Sequence, residues 1–353
     1  MRASGAPGTI AAMSTWSPAR VEREVNTLGS AGLALYDLRR AAVGRWGGGV
    51  PWEGGCFPTA DPASLVMTSH ATDGIDRAAS PLLHLNEYTQ HDVAKHGELA
   101  QADCPVRVLS QATRGELGRS PRYRTLLHPL GLEHELRGAV REGGTTWGFL
   151  PLFRRAGRRD FTADEAATVE RFLRAVAPLL RAALEGEQAS PAPATGPPAL
   201  ILLDAGNRLV EGTVGGHAWA AALHDAELGP DAVPEVFVTL AIWARSLAAQ
   251  GSEAGAGARV PGAAGGWDKA SAMGTDRERV AIVLQPAQLA ELVSLMLSHF
   301  RLTPAEREVT RLVLAGRSTR EIADDLVVSP HTVQDHLKSV FAKAGVRSRR
   351  DLV

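Results

Sequence analysis

The sequence predicts a multidomain fold in which mixed α+β domains precede an all-α C-terminal domain. Three observations carry that expectation. At 353 residues and 44% hydrophobic content the chain is long enough for two or three independent cores. A proline-rich run from Glu185 to Ala199 lacks any periodic apolar pattern, so residues 187–198 read as a semi-extended linker. Short strand-like runs alternate with helices before that linker, whereas the last fifty residues carry three helix starts and stops in close succession.

Residues 18–186 form the first mixed unit. Glu135 to Arg141 and Gly144 to Phe153 (GTTWGFLPLF) are strand candidates, the second alternating and aromatic. Thr162 and Glu165 then make a Thr-x-x-Glu capping box, followed by Val169, Phe172, Leu173, Val176, Leu180 and Leu184 at helical spacing. A strand pair followed by a long amphipathic helix is an α+β arrangement. After the linker, residues 199–287 open with a buried-type strand at Leu200 to Leu203 and a turn at Asp204 to Asn207. A short second strand and a helix follow. Glu278 to Ala287 supplies a last strand, and Ala248 to Gly266 reads as a long internal loop. Residues 288–300 read as a connecting helix; Leu289 to Leu297 is apolar nearly all round and therefore needs a cover, either a second copy of the chain or its own sheet.

The run from Arg122 through Phe153 and Phe161-Thr162-x-x-Glu165 resembles the end of a GAF-type sensor domain, in which two late strands precede a closing helix. The strand, turn, strand and helix order after the linker resembles the opening of a PAS-like domain. Both resemblances imply concave sheets that bind small molecules or relay contacts, and neither names a ligand.

The C-terminal unit, residues 301–353, is read from its punctuation. Thr303-Pro304-x-Glu306 starts one helix, whose stripe is Ala305, Val309, Leu312 and Val313, and Gly316 stops it. Ser318 with Glu321 caps a second helix that buries Ile322, Ala323 and Leu326. Ser329-Pro330 opens a third with Val333, Leu337, Val340 and Phe341 on one arc and Gly345 at its end. A connection of about two residues at Val327 and Val328 forces a steep crossing, which is a helix-turn-helix. Gln334, Lys338, His331, Asp335 and Ala342 fall on the opposite, polar arc, which suits a major-groove floor.

Leu302-Thr303-x-x-Glu306, Ile322-Ala323, Ser329-Pro330-x-Thr332-Val333-x-x-His336 and Lys343-x-Gly345-Val346-x-Ser348-Arg349 closely resemble the LuxR-type (NarL/FixJ, GerE) DNA-binding domain. The resemblance implies base contacts from Gln334, Asp335 and Lys338. It implies phosphate contacts from Ser329, Thr332, His336 and Lys343, with Arg320 and Arg347 as further candidates. In this family a fourth helix mediates dimerisation; here Ser348 would cap it, and it has barely one turn before Val353, so Leu289 to Leu297 is the better dimerisation candidate.

Charge agrees with that reading. Residues 299–353 carry ten Lys+Arg against seven Asp+Glu, although the whole chain has a net charge of −1. A mildly acidic body with a basic end is the layout of a protein that offers only its end to a polyanion. Cys56 and Cys104, far apart, exclude a disulfide scaffold and a four-cysteine zinc module. No apolar run approaches a membrane span, and the first thirteen residues are too weakly apolar for a secretory signal, so a cytoplasmic protein is expected. The chain lacks Gly-x-x-x-x-Gly-Lys-Ser/Thr, a Gly-x-Ser-x-Gly elbow and an N-terminal acidic receiver cluster. His84, His91 and His96 with Glu87 and Asp92 match no short metal-ligand spacing, so no metal or other cofactor is expected. Cys56 and Cys104 read as ordinary cysteines, and Trp46, Trp52 and Trp147 as core. The expectation is a dimeric, sequence-specific transcriptional regulator of double-stranded DNA, not an enzyme, with RNA polymerase as a candidate partner and an unidentified signal at the sensor. The alternatives are an adaptor or a small-molecule enzyme carrying a DNA-docking tail.

Overall fold

The computed structural model describes residues 17–46, 49–76, 79–186, 198–222, 233–252, 254–261, 267–274, 278–287 and 302–352. Most of the linker 187–198, and the connecting helix 288–300 with its Leu289 to Leu297 stretch, lie outside them. Among the described residues no helix is long and apolar enough to cross a membrane.

The N-terminal mixed region begins with α1 (Pro18–Ser30), capped by Ser17, and α2 (Leu35–Trp46). A seven-stranded antiparallel sheet follows: β1 (Gly54–Cys56), β2 (Thr59–Ala60), β3 (Met67–Ser69), β4 (Thr72–Asp73), β5 (Val106–Val108), β6 (Leu132–Glu142) and β7 (Thr145–Arg155). β7 pairs with β6 on one edge and with both β1 and β2 on the other, and β5 lies outside β6. The helices α3 (Ser80–Thr89), α4 (His96–Gln101), α5 (Leu109–Ala112) and α6 (Ala163–Gly186) complete the region. The strand pair and the closing helix, on which the GAF resemblance rests, are therefore present in that order.

Alternation along β7 does not produce a solvent face. Ten of its eleven residues are buried, because α1, α2 and α6 cover one side, where Trp147, Leu150 and Leu152 pack. Phe149 packs with Leu99 of α4 on the other side. The six apolar positions forecast for α6 are all buried, and Trp147 and Trp52 pack in this same core. The Thr162 box forms as expected: Thr162 Oγ1 accepts from the Glu165 N–H at 3.2 Å and Glu165 accepts from the Thr162 N–H at 2.8 Å.

The middle region is a five-stranded antiparallel sheet of order β10-β11-β12-β8-β9, made of β8 (Ala199–Leu203), β9 (Leu209–Gly212), β10 (Ala256–Pro261), β11 (Trp267–Gly274) and β12 (Val280–Pro286). The helices α7 (Val214–Ala222) and α8 (Glu235–Ala249) connect its halves. The first two strands, α7 and the last strand match the sequence reading. The segment Ala248 to Gly266 does not: β10 lies inside the expected loop. Its alternating Ala256, Ala258 and Val260 are buried under α8, so small side chains do the packing that bulkier ones would normally advertise.

The two mixed regions share contacts. Val66 and Tyr88 of the first join the apolar core of the second, and Arg259 Nε donates to Asp61 at 2.7 Å in a buried pair. The C-terminal region is α9 (Pro304–Leu314), α10 (Thr319–Leu326), α11 (Pro330–Ala344) and α12 (Arg349–Leu352).

Candidate nucleic-acid interface

Each helix of the C-terminal region starts where its caps put it. Thr303 and Glu306 exchange side chain to backbone hydrogen bonds, as do Ser318 and Glu321, so both capping boxes are complete. Ser329 accepts from the Thr332 N–H at 3.0 Å, and Pro330 occupies the first position of α11. Between α10 and α11 the chain turns at Val327, which adopts φ +55°. A β-branched residue rarely takes that conformation, and here the Val328 N–H to Ala323 carbonyl bond at 2.9 Å closes the helix end.

A small core fixes the crossing. Val309, Leu312, Val313, Ile322, Ala323, Val333 and Leu337 pack together, and Val340 packs with Leu302. Ala305 departs from the expected stripe and is exposed, as it lies on the first turn beside Pro304. Phe341 and Leu326 are only partly buried.

The opposite arc of α11 emerges as forecast. His331, Thr332, Gln334, Asp335, Lys338 and Ala342 are exposed, and His336 is half-buried. Lys338 Nζ lies 3.2 Å from Asp335 Oδ1, and the His331 ring lies 3.6 Å from Asp335 Oδ2. These side chains remain 55–79% exposed, so the pairings are weak and exchangeable with other ions. Asp335 thus sits between the His331 ring and the Lys338 ammonium. Ser329 Oγ and Thr332 Oγ1 share a 2.9 Å hydrogen bond at the N-terminus of α11, where backbone N–H groups favour an anion. Arg320 and Arg347 are exposed on flanking segments.

Lys343 stands apart from this group. Its Nζ lies 2.6 and 2.9 Å from the two oxygens of Glu306, which also accepts from Ser339 at 2.6 Å. Burial would push the Glu306 carboxyl up, but hydrogen bonds from Lys343, Ser339 and Thr303 bring it down to about 2. Glu306 therefore ties α9 to the end of α11 as well as capping α9. Nothing local in the sequence signals this second role, because its partners lie on another helix. Nor does the sequence signal the contact of Arg307 with the β6–β7 hairpin, where its Nη1 donates to Thr145 Oγ1 at 3.2 Å.

The histidines of the N-terminal region separate in the structure. His96 is buried and stacked on Phe149 at 3.6 Å between centroids, and burial pushes its pKa down to about 3. Glu87 pairs with Arg137, Asp92 with Arg122, and His91 is exposed. His84 turns elsewhere, towards α8.

Residues 301–353 match the family model described as bacterial regulatory proteins, luxR family. An HTH-type transcriptional regulator of Mycobacterium tuberculosis is 58% identical over 52 residues, 15% of this chain; the match spans 6% of that protein's own length. The transcriptional regulatory protein MctR of Rhizobium johnstonii is 38% identical over 52 residues, which are 24% of it. A GAF domain from a phosphoenolpyruvate-protein phosphotransferase of Coxiella burnetii covers 48% of this chain and 96% of its own at 16% identity and a TM-score of 0.32, too distant to bear on function. The spore germination protein GerE of Bacillus subtilis is 40% identical over 52 residues, 15% of this chain and 70% of GerE. With most of GerE matched through these helices, the chain belongs to the luxR family of bacterial regulatory proteins.

Proposed function

We propose that the chain is a sequence-specific transcriptional regulator that lays α11 in the major groove of double-stranded DNA. Gln334, Asp335 and Lys338 read base edges. Lys338 and Gln334 donate to purine acceptors, and Asp335 accepts from a cytosine amino group or repels a wrong site. Ser329, Thr332, His336, Arg320, Arg347 and Lys343 hold the phosphates and set the register. Lys343 exchanges its Glu306 partner in part for a phosphate oxygen. The observation that carries this reading is the exposed, loosely paired polar face of α11 in a domain of the luxR family.

The chain divides on this reading into a GAF-like unit at 18–186, a linker at 187–198, a PAS-like unit at 199–287, a connecting helix at 288–300 and the DNA-binding unit at 301–353. The β6–β7 pair followed by α6, and the β8, turn, β9, α7 succession, support the two sensor assignments. The protein works as a cytoplasmic homodimer on an inverted repeat, its half-sites about one helical turn apart, and meets RNA polymerase at the promoter. A small-molecule or protein signal at the mixed regions changes how the recognition helices are presented, and the Arg307 to Thr145 contact supports such a link. The chain performs no catalysis.

Selection of fragmented genomic DNA by the purified full-length chain at one stated salt concentration tests the proposal. Enrichment of an inverted repeat is expected. Retention of random fragments with no common sequence contradicts it.

A further inference from the structure

His70, directly after β3, and His84, in α3, meet Glu235 at the start of α8, so the N-terminal and middle regions converge there. His84 is fully buried, His70 is 3% exposed, and the Glu235 side chain is 11% exposed. One donor atom from each of the three lies within 4.8 Å of the other two. His70 Nδ1 is 3.9 Å from Glu235 Oε1, and His84 Nε2 and Ser80 Oγ both contact that same oxygen. The two imidazole rings are 5.4 Å apart.

The hydrogen bonds around the cluster fix the orientation of His84. Thr239 Oγ1 donates to the Glu235 backbone carbonyl at 3.0 Å, the usual back-bond of a helical threonine. Its one proton is thereby used, so at 3.2 Å from His84 Nδ1 it accepts the imidazole N–H. The Nε2 of His84 faces the Glu235 carboxylate. Ser80 Oγ lies within reach of both His84 Nε2 and Glu235 Oε1. Two imidazole nitrogens gathered round one carboxylate oxygen form a donor set of the kind that ligates transition metals. An imidazole whose far nitrogen is fixed by a hydrogen bond is how proteins orient metal-ligating histidines.

We propose that His70, His84 and Glu235 form a binding site for a divalent first-row transition-metal ion that clips the N-terminal and middle regions together. Two imidazoles and one carboxylate suit Zn²⁺ or Fe²⁺ and disfavour Mg²⁺ and Ca²⁺, which take oxygen ligands. His84 Nε2 and Glu235 Oε1 move apart to admit the ion at about 2.0–2.2 Å from each. The remaining positions open towards an adjoining cavity lined by His70, Ser80, Thr72, Asp76 and Cys56. Since the ligands come from both regions, the site is complete only when the two are docked, and metal binding favours the docked form. The site is independent of the DNA-binding reading.

The test uses the full chain, stripped with a chelator and titrated with zinc chloride alone, read by calorimetry and thermal unfolding. One equivalent per chain and a raised unfolding midpoint are expected. His70→Gln and Glu235→Gln, checked for folding by circular dichroism, are expected to weaken binding at least ten-fold each. No stoichiometric binding by the wild-type chain, or folded variants that bind as it does, overturns the site. A second measurement needs no variant: X-ray absorption of the zinc-loaded wild-type chain is expected to find two imidazole nitrogens at the metal, and a shell without imidazole overturns the proposal.

Discussion

Two regions of the chain handle charge in opposite ways. In the N-terminal region, Arg122 and Arg137 are 0% and 2% exposed and are held by Glu135, Glu87 and Asn86 at 2.8–3.2 Å. On α11 of the C-terminal region, Lys338 and His331 stand 73% and 79% exposed around one aspartate. Buried charges held in ion pairs specify packing, and removal of one partner is costly. Exposed, loosely paired charges contribute little to stability and are available to a polyanion. Comparable side chains therefore carry architecture in one region and recognition in the other, and burial tells the two apart.

The largest effect that sharpens this contrast is Glu135→Leu, which leaves two buried guanidinium groups without their shared carboxylate. It is expected to cost about 3–5 kcal/mol in urea unfolding of the N-terminal region. A loss within the range of a surface substitution would break the comparison. Gln334→Ala, on the other side, is expected to cost roughly 1–3 kcal/mol in affinity for the selected DNA site while leaving the urea midpoint unchanged.

Acid divides the charges the same way. Although burial raises it, Glu87 is brought down to about 2 by His96 and Arg137, and Glu306 is brought to the same value by its own partners. Carboxylates depressed in the folded state stabilise fully above their unfolded value of about 4.5, and that stability drains as the pH falls towards about 2. Urea midpoints are thus expected to fall between pH 5 and 2. Glu306→Gln should reduce the slope for the C-terminal helices, and a slope unchanged by it would remove Glu306 from its clamping role. Lys343→Ala is the smallest and most mixed case. It should weaken binding to all sequences alike, lower the salt slope by about one, and slightly destabilise the helices that Glu306 joins.

The C-terminal region was legible because its signals are local: caps, stops and apolar stripes lie within one turn of the residues they govern. The faces of α11 followed directly from 100° per residue. The β6, β7 and α6 succession was readable for the same reason. β10 and β11 were not, since glycine-rich surroundings and inward alanines hide the alternation that marks a strand. Long-range partners were the other blind spot. Glu306 reads locally as a cap alone, nothing in the sequence ties Lys343 to it, and His84 groups by spacing with its sequence neighbours His91 and His96. Its partners are His70 and Glu235, which chain folding alone brings together.

The most direct measurement compares the wild-type chain with Lys338→Ala on the selected site and on random duplex at one salt concentration, with urea unfolding in parallel. A base-reading lysine predicts a loss of roughly 1–3 kcal/mol on the selected site, a much smaller loss on random DNA, and an unchanged unfolding midpoint. Equal losses on both duplexes, or no loss on either, would contradict the assignment of α11 as the recognition helix.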